Sequence, residues 1–166
     1  MPFSEERVQV IASHYCANTG EEAGLVESFV QICSFLNDNP DRFSWRTTKA
    51  RPTLQADDGI RQLAERYYAA YRKSDFPSMA VTVPDDMVSL VMIEVFGYTE
   101  AESHRIKIEH QRAMIAENCV GALLERYLDS VLRPSGWHWC CGSFAKAVDF
   151  IRKDPDGKWL SLQIKN

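Results

Sequence analysis

The chain has 166 residues, 45% of them hydrophobic and 25% charged, the balance of one globular domain with room for a small helical appendage; it is neither disordered nor collagen-like. A formal net charge of −4 argues against a simple non-specific nucleic-acid binder, which is usually basic, but leaves room for an acidic protein with a local basic face. No run is apolar enough to span a bilayer and the N-terminus carries no secretory signal, so a cytoplasmic protein with no membrane partner is expected.

The first helix is predicted from Ser4, with Glu6 and an apolar period through Val8, Ile11 and Ala12. A second is predicted over residues 21–36, where Leu25, Val26, Phe29, Val30, Ile32 and Cys33 supply the buried stripe; the Asn-Asp-Asn-Pro run at 37–40 ends it. Residues 42–52 have no period and carry Arg42, Arg46, Lys49 and Arg51 around Trp45. They read as a solvated loop or, functionally, as a loop contacting DNA phosphates. Helices follow over residues 57–73, 85–96 and 100–132, the last with a possible bend near His110. In it Val120, Leu123, Leu124, Tyr127, Leu128, Val131 and Leu132 recur at helical spacing as one apolar face. Arg133-Pro134-Ser135-Gly136 stops it.

Beyond this point the pattern changes to strands, at residues 137–141, 145–153 and 158–166. Asp154-Pro155-Asp156-Gly157 between the last two is a hairpin turn, with Pro and Gly where a type I turn with a glycine bulge needs them. The five cysteines, Cys16, Cys33, Cys119, Cys140 and Cys141, include no CxxC pair. They read as reduced and mostly buried, with no disulfide framework or structural zinc site. His104 and His110 read as surface residues, and His138, flanked by Trp137 and Trp139, as a structural residue on the opposite face from them.

The turn fixes a register. With Asp154 opposite Lys158, Arg152 opposes Leu160, Phe150 opposes Leu162 and Val148 opposes Ile164, a largely apolar face. The other face pairs Asp149 with Gln163 and Ala147 with Lys165, so Asp149, Gln163 and Lys165 share one surface. An acid, an amide oxygen and an amine converging there suit a metal-dependent phosphodiesterase: the oxygens hold Mg2+, and the lysine orients a water or stabilises developing charge. No GxxxxGK or GxGxxG loop occurs, and no Ser/His/Asp set can be assembled from the spacing.

Asp149 followed across a hairpin by Gln163-Ile164-Lys165 resembles the PD-(D/E)XK nuclease signature. The order helix, strand, strand with Asp, strand with Lys resembles the first half of that fold's core. Two positions depart from the pattern: Val148 precedes the Asp where Pro is usual, and Gln163 replaces an acid, which removes one negative charge. More closely, ENCVGALLERYL and VDFIRKDPDGKWLSLQIKN resemble the SinI-like type II restriction endonucleases. The resemblance implies an α+β fold, with a helical region over residues 1–110 and the αβββ first half of a nuclease core over 111–166. It also implies that the preceding helix supplies a further carboxylate, Glu125 as a catalytic residue or Glu117 as a metal ligand. The implied function is Mg2+-dependent hydrolysis of double-stranded DNA at GGWCC by a homodimer, alongside a cognate DNA methyltransferase in a restriction-modification system. That fold has a further helix and strand after the lysine, so residues 1–166 read as a truncated fragment of weak or absent activity. The alternative is a catalytically inactive DNA-binding or protein-interaction module that retains the nuclease scaffold.

Overall fold

The computed structural model describes residues 2–17, 20–45, 50–73 and 85–165. Five α-helices precede a small antiparallel sheet, so the fold is mixed α+β. The chain forms two compact units, one of Met1–Lys73 with Glu125–Asn166, the other of Ser74–Leu124.

In the larger unit, α1 (Glu5–Ser13) starts where predicted. The Ser4 hydroxyl accepts from the Arg7 main-chain N–H at 3.3 Å, and two glutamates occupy the first turn. α2 (Leu25–Asp38) begins later than the sequence suggested: Gly20–Glu22 form a 3-10 turn, and Gly24, at φ +81°, precedes the helix. α3 (Asp57–Arg72) carries Asp57 and Asp58 in its first turn. Leu25, Phe29, Ile32 and Leu36 from α2 and Ile60, Leu63 and Tyr67 from α3 are buried in one core with Val8 of α1. Phe29 and Tyr67 meet at 5.3 Å between ring centroids.

Gly59 lies where α3 crosses the chain before it. A methyl group there would sit 2.1 Å from the Thr53 carbonyl oxygen. Helix propensity favours Ala over Gly by about 1 kcal/mol, whereas overpacking costs about 1–3 kcal/mol. The obstacle here is main chain, which cannot swing aside, so overpacking wins. Gly59→Ala is expected to lower stability by about 1–2 kcal/mol in urea unfolding.

The smaller unit holds α4 (Asp86–Glu94) and the first part of α5 (Glu100–Leu132). Asp85 caps α4 by accepting from Met87 N–H at 2.9 Å. Thr99 and Glu102 form a reciprocal capping box at the start of α5. Between them, Ser103 is buried against Met92 and Lys107 donates to Ser89 at 2.7 Å. α5 runs unbroken through His110, because no Pro or Gly interrupts its hydrogen-bond ladder there. Its apolar face is only partly a core face. Leu128 and Leu132 pack on the core of the larger unit, while Val120, Leu123, Tyr127 and Val131 are 48–63% exposed.

The sheet is ordered β1 (His138–Trp139), β2 (Phe150–Lys153), β3 (Trp159–Leu162), all antiparallel. The hairpin turn forms as read. Gly157, at φ +81°, donates to the Asp154 carbonyl at 3.0 Å, and Asp154 donates to the Lys158 carbonyl at 2.9 Å. The register also matches, with Phe150 opposite Leu162 and Arg152 opposite Leu160. The strands, however, are shorter than predicted. Residues 145–149 are not strand: Ala147 adopts φ +56°, Phe144 is fully buried in the core, and Ala145 bridges to Phe43. The apolar face of the hairpin is also less covered than expected, since Leu160 and Leu162 remain exposed. Phe150 and Ile151, on opposite faces of β2, are both fully buried. One face of the sheet meets α2, through Trp159 against Phe35 and His138 against Ser28. The other meets the end of α5, through Trp139 and Glu125.

None of the five cysteines is in a disulfide, and Cys33, Cys140 and Cys141 are buried. Among the described residues, no helix is long and apolar enough to cross a membrane.

Candidate active site

Two of the carboxylates singled out in the sequence, Glu125 and Asp149, lie near the end of α5 and beside the sheet. Glu125 lies one turn before Leu128, which packs on the core, so the helix carries both on neighbouring positions of one face. It is half-buried, and its Oε2 accepts from the indole Nε1 of Trp139 at 2.9 Å. Asp149 immediately precedes β2 and is held from both sides. Its carbonyl accepts from Cys140 N–H at 2.8 Å and its own N–H donates to Leu162 O at 2.9 Å. Its carboxylate Oδ2 accepts from Ile164 N–H at 2.6 Å, the residue between Gln163 and Lys165.

The electrostatics follow from this packing. Burial raises the pKa of Glu125. The Trp139 hydrogen bond opposes the rise, the negative charge of Asp149 adds to it, and the Arg126 guanidinium opposes it. Burial and the Asp149 charge likewise push the Cys140 thiol up, so it is protonated at neutral pH.

The other residues singled out in the sequence have different surroundings. Gln163 and Lys165 lie beyond the end of β3 and are exposed; among the described residues no hydrogen bond or ion pair joins either to Asp149. The pairing of Asp149 with Gln163 and of Ala147 with Lys165 therefore falls outside the regular ladder, although the main chain of Ile164 still ties that segment to Asp149. Glu117 is exposed on α5. Arg42 is exposed beside Asp41 at 3.7 Å. Arg51 lies 4.3 Å from the centre of the Phe43 ring and donates to the Pro40 carbonyl at 2.9 Å. Arg46 and Lys49 lie outside the described residues. His104 and His110 are exposed, and His138 packs on the sheet face opposite Trp139, with Nδ1 3.0 Å from the Ser28 hydroxyl. Burial lowers the His138 pKa, in keeping with a structural residue.

The sequence reading missed Trp139 as the partner of Glu125. The one available signal was the alternation Trp137-His138-Trp139, which sends both indoles to the face opposite the histidine.

Carboxylate oxygens are the ligands that hard divalent ions prefer. Among the described residues no group of three or more His, Cys, Asp or Glu side chains gathers to hold a metal ion.

Comparison with known proteins identifies the class. Two relatives are named type II restriction enzymes, which places the chain among the site-specific deoxyribonucleases. Over 166 residues it is 37% identical to the type II restriction enzyme SinI of Salmonella infantis, covering 99% of this chain and 71% of that protein. Over 144 residues it is 40% identical to the type II restriction enzyme Eco47I of Escherichia coli, covering 86% of this chain and 62% of that protein. The pattern of the SinI restriction endonuclease family matches residues 8–166, and the chain belongs to that family.

Proposed function

We propose that the chain hydrolyses phosphodiester bonds of double-stranded DNA at a specific site, as the SinI-like part of a restriction-modification system. Asp149 is the central acid. The observation that supports this best is the hydrogen bond from its carboxylate to the main-chain N–H of Ile164, between Gln163 and Lys165. In a PD-(D/E)XK-type reading this ties the acid to the segment that carries Gln163 and Lys165.

In this reading Asp149, Gln163 through its amide oxygen, and Glu125 hold Mg2+. Glu125 is preferred over Glu117 because it is half-buried and bonded to Trp139, whereas Glu117 is exposed. The bound ion would neutralise phosphate charge and lower the pKa of a water. Lys165 donates to the scissile phosphate or orients the attacking water. Arg42, Arg46, Lys49 and Arg51 contact phosphates along the duplex. The target GGWCC, a homodimeric assembly and a cognate methyltransferase follow from the family resemblance. A second reading, a DNA-binding scaffold without cleavage, is favoured by Gln163, which carries no charge where the resemblance expects an acid.

The test is a cleavage assay on a plasmid containing GGWCC, with a gel shift on the same duplex. Weak cutting confined to GGWCC and abolished by chelation is the expected outcome. Absence of cutting together with a DNA affinity indifferent to Mg2+ would overturn the proposal.

A further inference from the structure

A long-range tie lies a few residues before Asp149. Phe43 bridges to Ala145 in antiparallel pairing; the Ser44 N–H donates to the Phe144 carbonyl and the Lys146 N–H to the Arg42 carbonyl, each at 2.8 Å. Arg42 and Lys146 therefore stand opposite each other, where cross-strand side chains share a face. Both are exposed, while Phe43 is buried and Ala145 packs on the core. Arg51 lies over the Phe43 ring at 4.3 Å, and Arg66 over the Trp45 ring at 4.9 Å. Among the described residues, the ion pair that these four cations make is that of Arg42 with Asp41, at 3.7 Å. A basic patch thus forms in a chain of net charge −4. The main chain is forced at this point. Among the described residues, the non-glycine residues with left-handed φ are Ser143, at +58°, and Ala147, at +56°, and they bracket residues 144–146.

We propose that Lys146 is a DNA-contacting residue: together with Arg42, opposite it, it clasps a backbone phosphate of the duplex close to the bond to be cut. This rests on the reading of the chain as a nuclease with Arg42 among its phosphate contacts. Like charges directly opposite on paired strands destabilise the pairing, and an anion held between them reverses that effect. Left-handed non-glycine residues persist only where their surroundings hold them, and they cluster at ligand clamps. The two cations also suit one phosphate: arginine presents a fork of donors, and lysine a compact point charge. Three residues of chain, from Lys146 to Asp149, span at most about 11 Å. Successive phosphates of one strand advance about 3.4 Å along the duplex axis. The phosphate held at Lys146 therefore lies within a few nucleotides of one beside Asp149.

The experiment measures binding of the full chain to a GGWCC duplex and to a scrambled duplex by fluorescence anisotropy. It is run without divalent metal, so that nothing is cut, over a series of KCl concentrations. The proteins are wild type, Lys146→Gln, Lys146→Arg and Lys158→Gln. Lys158 is an exposed lysine at the hairpin turn, and its loss changes the net charge by the same amount away from the patch. Lys146→Gln is expected to weaken binding several-fold and equally for both duplexes, because a phosphate contact carries no sequence information. It should also lower the slope of log affinity against log salt by about one. Lys146→Arg, which keeps the charge, and Lys158→Gln should keep the wild-type slope. A wild-type slope in Lys146→Gln overturns the inference, as does an equal loss in Lys158→Gln, where net charge alone would be at work. Either result leaves the nuclease reading standing. If wild type binds neither duplex, both fall.

Discussion

Under the proposed reading, Asp149→Ala is expected to reduce DNA cleavage assayed with Mg2+ by about a thousandfold or more while leaving duplex affinity within a few-fold of wild type. The size follows from what the residue is asked to supply. Charge neutralisation by a divalent ion at a phosphodiester contributes several kcal/mol to the transition state, and each 1.36 kcal/mol is about tenfold in rate. Asp149 also fixes the main chain of Ile164 through a 2.6 Å hydrogen bond, so removing it releases the segment that carries Gln163 and Lys165. Asp149→Asn separates these two roles. An amide oxygen still accepts from the Ile164 N–H, so Asn keeps the scaffold and loses only the charge. If Asn and Ala are equally inactive, charge is the decisive property; if Asn retains most of the rate, scaffolding is. The affinity half of the prediction follows from the expectation that duplex binding is dominated by phosphate contacts made elsewhere. A parallel collapse of cleavage and binding in both variants would mean that Asp149 supports the fold and not the reaction. Near-wild-type cutting by Asp149→Ala would remove it from the site.

The parts of this arrangement that could be read from the sequence are those encoded locally. Asp154-Pro155-Asp156-Gly157 specifies its own turn, and once the turn is set, the pairing of Phe150 with Leu162 follows by counting. The capped starts of α1 and α4 were legible for the same reason. Residues 145–149 looked like strand because Ala145 to Phe150 alternate acceptably, yet Phe144 is drawn fully into the core and Ala145 bridges to Phe43, about a hundred residues earlier. No local pattern encodes that partner. The periodicity of α5 correctly marked an apolar face, but period alone does not say which part is covered. Leu128 and Leu132 meet the core, whereas Tyr127 and Val131 are exposed. For the candidate site, the strand pattern pointed to Asp149, and family resemblance pointed to Glu125. Their partners, Trp139 for Glu125 and the Ile164 main chain for Asp149, depend on how a helix end and a chain end lie against the sheet, and no spacing rule states that.

A long-range pair of this kind underlies the largest stability effect expected. Glu22, 6% exposed at the end of the 3-10 turn, receives two hydrogen bonds from Arg72 at the end of α3, from Nε at 2.6 Å and from Nη2 at 2.9 Å, and one from the Ala17 N–H at 2.6 Å. The same guanidinium reaches the Tyr15 carbonyl, so one fork ties the segment after α1 to α3. The Arg72 hydrogen bonds and charge, with the Ala17 N–H, outweigh the effect of burial and hold the Glu22 carboxyl at about 2, well below its ordinary 4.5. A carboxylate with a depressed folded-state pKa stabilises the fold fully above about pH 4.5, and that contribution is lost progressively as the pH falls toward 2. Removing one member of a buried pair costs about 3–5 kcal/mol, but Arg72 is 44% exposed and water would solvate its orphaned charge, so the expected loss for Glu22→Gln at pH 7 is nearer 2 kcal/mol. The glutamine variant keeps the shape and one acceptor and cannot ionise. Urea unfolding of wild type and Glu22→Gln at a series of pH values should therefore show a gap that is constant from pH 7 to about 5 and closes as the medium is acidified toward pH 2. A gap that persists unchanged at pH 2 would mean that the glutamate acts by packing, and the charge-assisted fork would not be what fastens α3 to the chain after α1.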